Sequence, residues 1–163
     1  MSLVLDASAG VELALNMWRG ASRPRSPTTA WRLQQLGFDY TWDRPLLDRI
    51  VSGDVEAVTG HLRADDAYQR RSVRLLEDRA SERIAAQLTP EQVRVAALVE
   101  ATVPGMLLIR DGQVEGARAS VPVEFRREPE EQPDAALRDF YCRLLRATDD
   151  ESFRRWALPA ARL

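Results

Sequence analysis

Phe38-Asp39-Tyr40-Thr41-Trp42-Asp43-Arg44-Pro45-Leu46-Leu47 is the stretch that decides how this chain is read. Phe38 to Trp42 carries aromatic and β-branched side chains that suit a strand. Asp43 then offers a carboxylate to cap a helix, and Pro45 falls in the first turn, where a missing N–H costs nothing. Leu46, Leu47 and Ile50 recur at helical spacing, and Gly53 supplies the stop. A strand feeding directly into a helix is the building unit of a parallel α/β sheet.

The same alternation extends to both sides. Upstream, Thr28 is positioned to cap a short helix through Gln35, ended by Gly37. Downstream, a second helix spans Val55 to Leu62, and Val73-Arg74-Leu75-Leu76 is the next strand. Thr89-Pro90-Glu91-Gln92 combines a Thr cap, Pro at the first helical position and an amide three residues after the cap. Val93, Ala96, Ala97 and Glu100 lie along that helix, which stops before Pro104-Gly105. Met106-Leu107-Leu108-Ile109 is uninterrupted and apolar, the pattern of a strand buried on both faces. Asp111-Gly112 turns the chain. Val121 to Phe125 is extended but contains Pro122, which suits an edge or a loop. A last helix runs from Asp134 to about Thr148, with Leu137, Phe140, Tyr141, Leu144 and Leu145 on one stripe.

Composition narrows the possible classes. At 163 residues the chain can build one domain with a real core, and 45% hydrophobic residues argue against wholesale disorder. A net charge of −2 gives no global attraction to nucleic acid or anionic membrane. All 23 basic residues are arginine. They alternate with acids, as at Arg138-Asp139, which describes a solvated face and a compositional bias better than a phosphate site. Cys142, the only cysteine, sits in the apolar run Phe140 to Leu145 and is expected to be a small buried hydrophobe. With His61 also single, neither a metal site nor a cofactor is expected. No apolar run reaches membrane-spanning length, and Asp6 interrupts the N-terminal apolar stretch, so a cytoplasmic location is expected.

Leu36 to Asp43 resembles a segment near the sixth barrel strand of bacterial alpha-amylase family glycoside hydrolases. Tyr68 to Glu77 resembles the approach to their seventh strand. Pro104 to Ile109 and Gly112 to Gly116 are similar to their eighth strand and following loop, usually written PGMR-F-HxGQxEGR. Pro122 to Arg126, Phe140-Tyr141 and Leu144-Leu145 are similar to the segment along the last barrel helix. Asp149 to Leu158 resembles the lead-in to a C-terminal β-domain. The resemblance implies an α/β fold: a partial (β/α)8-barrel fragment with about three parallel strands and flanking helices. Residues 1–27 would be an atypical N-terminal segment and linker, 28–148 the barrel-derived region, and 149–163 the truncated start of the β-domain.

The family's chemistry needs two carboxylates flanking the scissile bond, and the resemblance implies a third acid beside them. The nucleophile strand would precede Thr28. The acid/base Glu normally stands shortly before a Trp-x-Leu-Gln-Gln segment, but no carboxylate occurs between Glu12 and Asp39. The third acid belongs to an E-N-H-D-x-x-R motif, matched here by Glu77-Asp78-Arg79-Ala80-Ser81-Glu82-Arg83. Ala80 replaces the acid and Arg83 is kept. No catalytic residue is therefore expected. Asp78, Arg83, Gln113 and Glu115 are the candidate carbohydrate-binding positions that the resemblance leaves. The plainer expectation is that Glu77, Asp78 and Glu82 begin a solvated helix, and that Gln113 and Glu115 belong to a polar turn.

Ser2 to Leu13 resembles the opening of PIN-domain ribonucleases, in which Asp6 would be the first ligand of a divalent metal cluster; a helix cap is the simpler role for Asp6. A small interaction module is a third possibility. The barrel-fragment reading carries a structural expectation of its own. An apolar sheet edge and helix face should lie exposed where the missing strands would pack, open to self-association or a complementing barrel half.

Overall fold

A computed structural model describes residues 27–78, 81–120 and 129–150. The possible strand Leu3-Val4-Leu5, the helix from Ala7 to Met17, Asp6, Ala80, Val121 to Phe125 and the segment after Asp150 lie outside the described residues.

The elements follow the expected alternation. Helix α1 is Pro27–Gln35, strand β1 Thr41–Trp42, and helices α2, α3 and α4 are Arg44–Ser52, Val55–Leu62 and Asp66–Arg70. Strand β2 is Ser72–Arg74, α5 is Ile84–Gln87, α6 Pro90–Thr102, strand β3 Met106–Leu107, and α7 Ala135–Asp149. The strands form one parallel sheet in the order β1-β2-β3, with Thr41 opposite Ser72, Trp42 opposite Val73, Val73 opposite Met106 and Arg74 opposite Leu107.

Local chemistry accounts for the helix boundaries. Asp43 accepts from the Leu46 amide, Asp54 from Ala57 and Asp134 from Leu137, each satisfying an amide that has no partner within its own helix. Thr89 and Gln92 form the reciprocal pair expected of a capping box. Gly53 ends α2 in the left-handed conformation, which glycine adopts without steric cost.

Several expectations need correcting. Thr28 lies inside α1, which begins at Pro27, so it is not the cap. The strand expected over Phe38–Trp42 shrinks to two residues, and the strand expected at Val73–Leu76 begins one residue earlier and ends at Arg74. Helix α4 was not expected, and the helix expected to begin at Glu77 to Glu82 is the short α5, which begins at Ile84. Cys142 is exposed, not buried. Met106 to Ile109, expected to be covered on both faces, is half-buried throughout, while Ser72 to Asp78 on the central strand and its extension is buried.

That difference follows from the strand order, in which β2 is central and β3 is an edge. Side chains alternate across a strand, so Trp42, Val73 and Met106 share one face, and Thr41, Ser72, Arg74 and Leu107 share the other. Hydrogen bonds tie three helices to the second face and to Asp43 beside it. Gln34 of α1 donates to Thr41 Oγ1 (2.9 Å), His61 of α3 meets Asp43 (2.9 Å), and Gln69 of α4 meets Arg74. Leu76 enters the main core with Leu47 of α2, Ile84 of α5, Val93, Ala96 and Ala97 of α6, and Leu137, Tyr141 and Leu144 of α7. Each large aliphatic side chain fully buried there contributes roughly 1.5–3 kcal/mol. No described helix is long and apolar enough to cross a membrane.

Candidate functional site

The polar groups of interest gather where β1 and β2 end and in the loop after β3. Asp43 directly follows β1 and is 1% exposed. One oxygen caps α2, and the other meets both His61 Nε2 and the Arg74 guanidinium. Arg74 extends back beneath β3: its Nε donates to Pro104 O at 2.7 Å, and its remaining nitrogen reaches the Gln69 side chain and carbonyl. Burial pulls the Arg74 pKa down, and the Asp43 charge opposes that shift. Arg49 closes the cluster by reaching His61 Nδ1. Beside the His61 ring stands Tyr68, whose hydroxyl is buried without a partner; burial, reinforced by the Asp43 charge, pushes it up to about 12.

Asp78 and Arg83 are held internally. Asp78 accepts from Arg44 at 2.8 Å and from the Ser81 amide at 2.7 Å, while Arg110 donates to its carbonyl. Arg83 pairs with Glu77 at 2.8 Å and donates to the carbonyls of Asp111 and Ala119. The other Glu77 oxygen accepts from the Ile84 amide, so Glu77 both caps α5 and neutralises Arg83. Glu77 and Asp78 are therefore buried, not the solvated helix start expected of them; Glu82 is exposed.

Gln113 is fully buried. Its amide nitrogen donates to Glu100 of α6 and to the Tyr141 hydroxyl of α7, both at 3.1 Å, and its oxygen accepts from the Arg110 amide. Glu100 also accepts from the Leu76 amide at 3.0 Å. Glu115 is half-buried and shares a cleft of about 180 Å³ with Arg83, Ala117, Ala119, Glu131 and Gln132. A second cleft, of about 110 Å³, lies between Arg44, Leu47, Asp48, Val51, Ser81 and Gln87. Both fall below the roughly 300 Å³ at which small-molecule pockets begin.

Of the four candidate positions, then, the structure brings Arg83 and Glu115 to one cleft. It places Asp78 against Arg44 and Ser81, and Gln113 in the core. Sequence reasoning passed over Asp43, His61, Arg74 and Glu100 as charged groups of consequence. Glu100 did carry a signal: it falls on the same helical stripe as Val93, Ala96 and Ala97, a carboxyl where an apolar side chain is expected. Among the described residues, no group of three or more His, Cys, Asp or Glu is placed to hold a metal ion. Comparison with protein-family models, curated proteins and solved structures finds no match to this chain.

Proposed function

We propose that this chain is the C-terminal part of an alpha-amylase-type glycoside hydrolase barrel, contributing its last three strand–helix units, without glycosidase activity of its own. The observation that carries this reading is the three-stranded parallel sheet in sequential strand order with helices between its strands. Parallel strands in sequential order, joined by helices, are the repeating unit from which a (β/α)8 barrel is closed. The face carrying Trp42, Val73 and Met106 corresponds to the barrel interior.

Loss of activity follows from the residues. The two upstream carboxylates have no counterpart in the family-like region, and alanine at position 80 cannot carry the third charge. The Glu77–Arg83 pair and the Asp78 turn support the loop that would have presented that third acid. Any carbohydrate contact would fall at the half-buried Glu115 and the cleft it lines. No observation favours a PIN-like ribonuclease, since the acids following β1 and β2 face arginines. The partner this reading implies is a complementing barrel half or a second copy of the chain. Incubating the purified chain with aryl α- and β-glucosides tests the catalytic part: turnover no faster than buffer is expected, and enzymatic turnover would overturn it.

A further inference from the structure

His61 is the only histidine in the chain, and its side chain is 2% exposed. Both ring nitrogens are engaged. Nε2 lies 2.9 Å from the Asp43 carboxylate after β1, and Nδ1 meets the Arg49 guanidinium of α2. The Asp43 oxygen that faces Nε2 is shared with Arg74 of β2. The Tyr68 ring of α4 stands at 70° to the imidazole, with centroids 6.0 Å apart. Among the described residues, the titratable or charged groups around the ring are thus Asp43, Arg49, Arg74 and Tyr68. Tyr68 stays uncharged, because burial pushes its hydroxyl up to about 12.

These partners fix where the ring carries its hydrogen. A guanidinium has N–H donors only and keeps its charge throughout the accessible pH range. The nitrogen that faces Arg49 must therefore offer a lone pair. Asp43 is the reverse case: its oxygens accept from the Leu46 amide and from Arg74, so the nitrogen that faces it must carry the hydrogen. We propose that His61 is held as the neutral Nε2–H tautomer, and that Arg49 and a second proton compete for Nδ1, which makes the α2–α3 contact an acid-released clasp.

The competition follows from donor geometry and charge. A proton on Nδ1 would point one N–H at another and set two cations side by side, so its uptake requires the guanidinium to withdraw. Arg49 lies in the last turn of α2 and is half-buried, so withdrawal means rotating one side chain toward solvent with both helices in place. The engaged state excludes the proton, and the withdrawn state accepts it. Falling pH therefore favours withdrawal, about tenfold per unit below the midpoint of the freed ring, and rising pH restores the clasp.

A single histidine makes the ring directly readable by ¹⁵N NMR of the whole chain. At about pH 8, above the ordinary histidine range, Nε2 should carry hydrogen and Nδ1 should be bare. Hydrogen on Nδ1, alone or together with Nε2, would overturn the proposal. On acidification, Arg49→Met should take up its ring proton at a midpoint about one unit or more above that of wild type. Equal midpoints would overturn the competition. Should Arg49→Met fail to fold, the wild-type tautomer decides: a bare Nδ1 supports the clasp, and a protonated one overturns it.

Discussion

Arg74 and Asp43 form an ion pair between the sheet and its helices, with side-chain exposures of 1% and 0%. They lie 31 residues apart, Arg74 on β2 and Asp43 directly after the adjacent parallel strand β1. The pair ties the end of β1 to β2, and Arg74 extends the tie to Pro104 at the start of β3. Asp43→Ala leaves a buried guanidinium without its charge partner and also removes the cap of α2. Such uncompensated burial costs about 3–5 kcal/mol. Urea unfolding should show that loss, and much of it should return in an Asp43→Asn/Arg74→Met double variant. A loss under about 1 kcal/mol for Asp43→Ala, the range of an exposed pair, would contradict the buried geometry.

Tyr68 offers the opposite expectation. Its hydroxyl is buried without a partner beside the His61 ring. Tyr68→Phe removes that unsatisfied group while keeping the ring, so thermal and urea unfolding should show a gain of about 1 kcal/mol. A comparable loss would reveal a hydrogen bond made through water.

Gly105 occupies a position where only glycine fits. Its φ is +134°, and an added Cβ would lie 2.5 Å from Ser72 O and 2.9 Å from Arg74 Nε, the nitrogen that bonds Pro104. Gly105→Ala should therefore cost at least about 2 kcal/mol from backbone strain and displaced packing. Gly60, whose Cβ would meet nothing within 4 Å, is the control. Gly60→Ala lies inside α3 and should stabilise by up to about 1 kcal/mol. Equal effects at the two sites would contradict the close approach at Gly105.

On the proposed barrel-fragment reading, Ala80→Asp would supply one acid of three. Hydrolysis of aryl glucosides should then stay at the buffer rate, because that reading leaves nucleophile and acid/base without a counterpart. Activity gained from this single change would mean that carboxylates elsewhere in the chain serve as the missing pair.

The parts of this fold that were legible in the sequence are those decided within a few residues. Asp43, Thr89 and Asp134 announce their helices because a cap and the amide it satisfies lie three positions apart. Helices α4 and α5, of five and four residues, are too short to show a period. Cys142 was misplaced by one step of the helix. Leu137, Tyr141 and Leu144 define the buried stripe, and the residue after Tyr141 is turned about 100° away from it. The buried charges were hidden for a different reason. Asp43, Arg74, Glu77 and Arg83 look like surface residues until folding brings partners together, and no spacing rule connects positions 43 and 74. The half-buried state of Met106 to Ile109 was likewise invisible, because an apolar run does not say whether a neighbouring strand is present.

The edge strands of the sheet are where the half-barrel account is most exposed to test. Trp42 on β1 and Met106 on β3 are half-buried, and Trp31 in α1 and Leu36 just after it are 49% and 78% exposed. Sedimentation velocity of the purified chain over a wide concentration range measures whether this surface behaves as an interior without its other half. The expected result is association that grows with concentration and is weakened by Met106→Asp. A compact monomer at every concentration, unchanged by Met106→Asp, would contradict it.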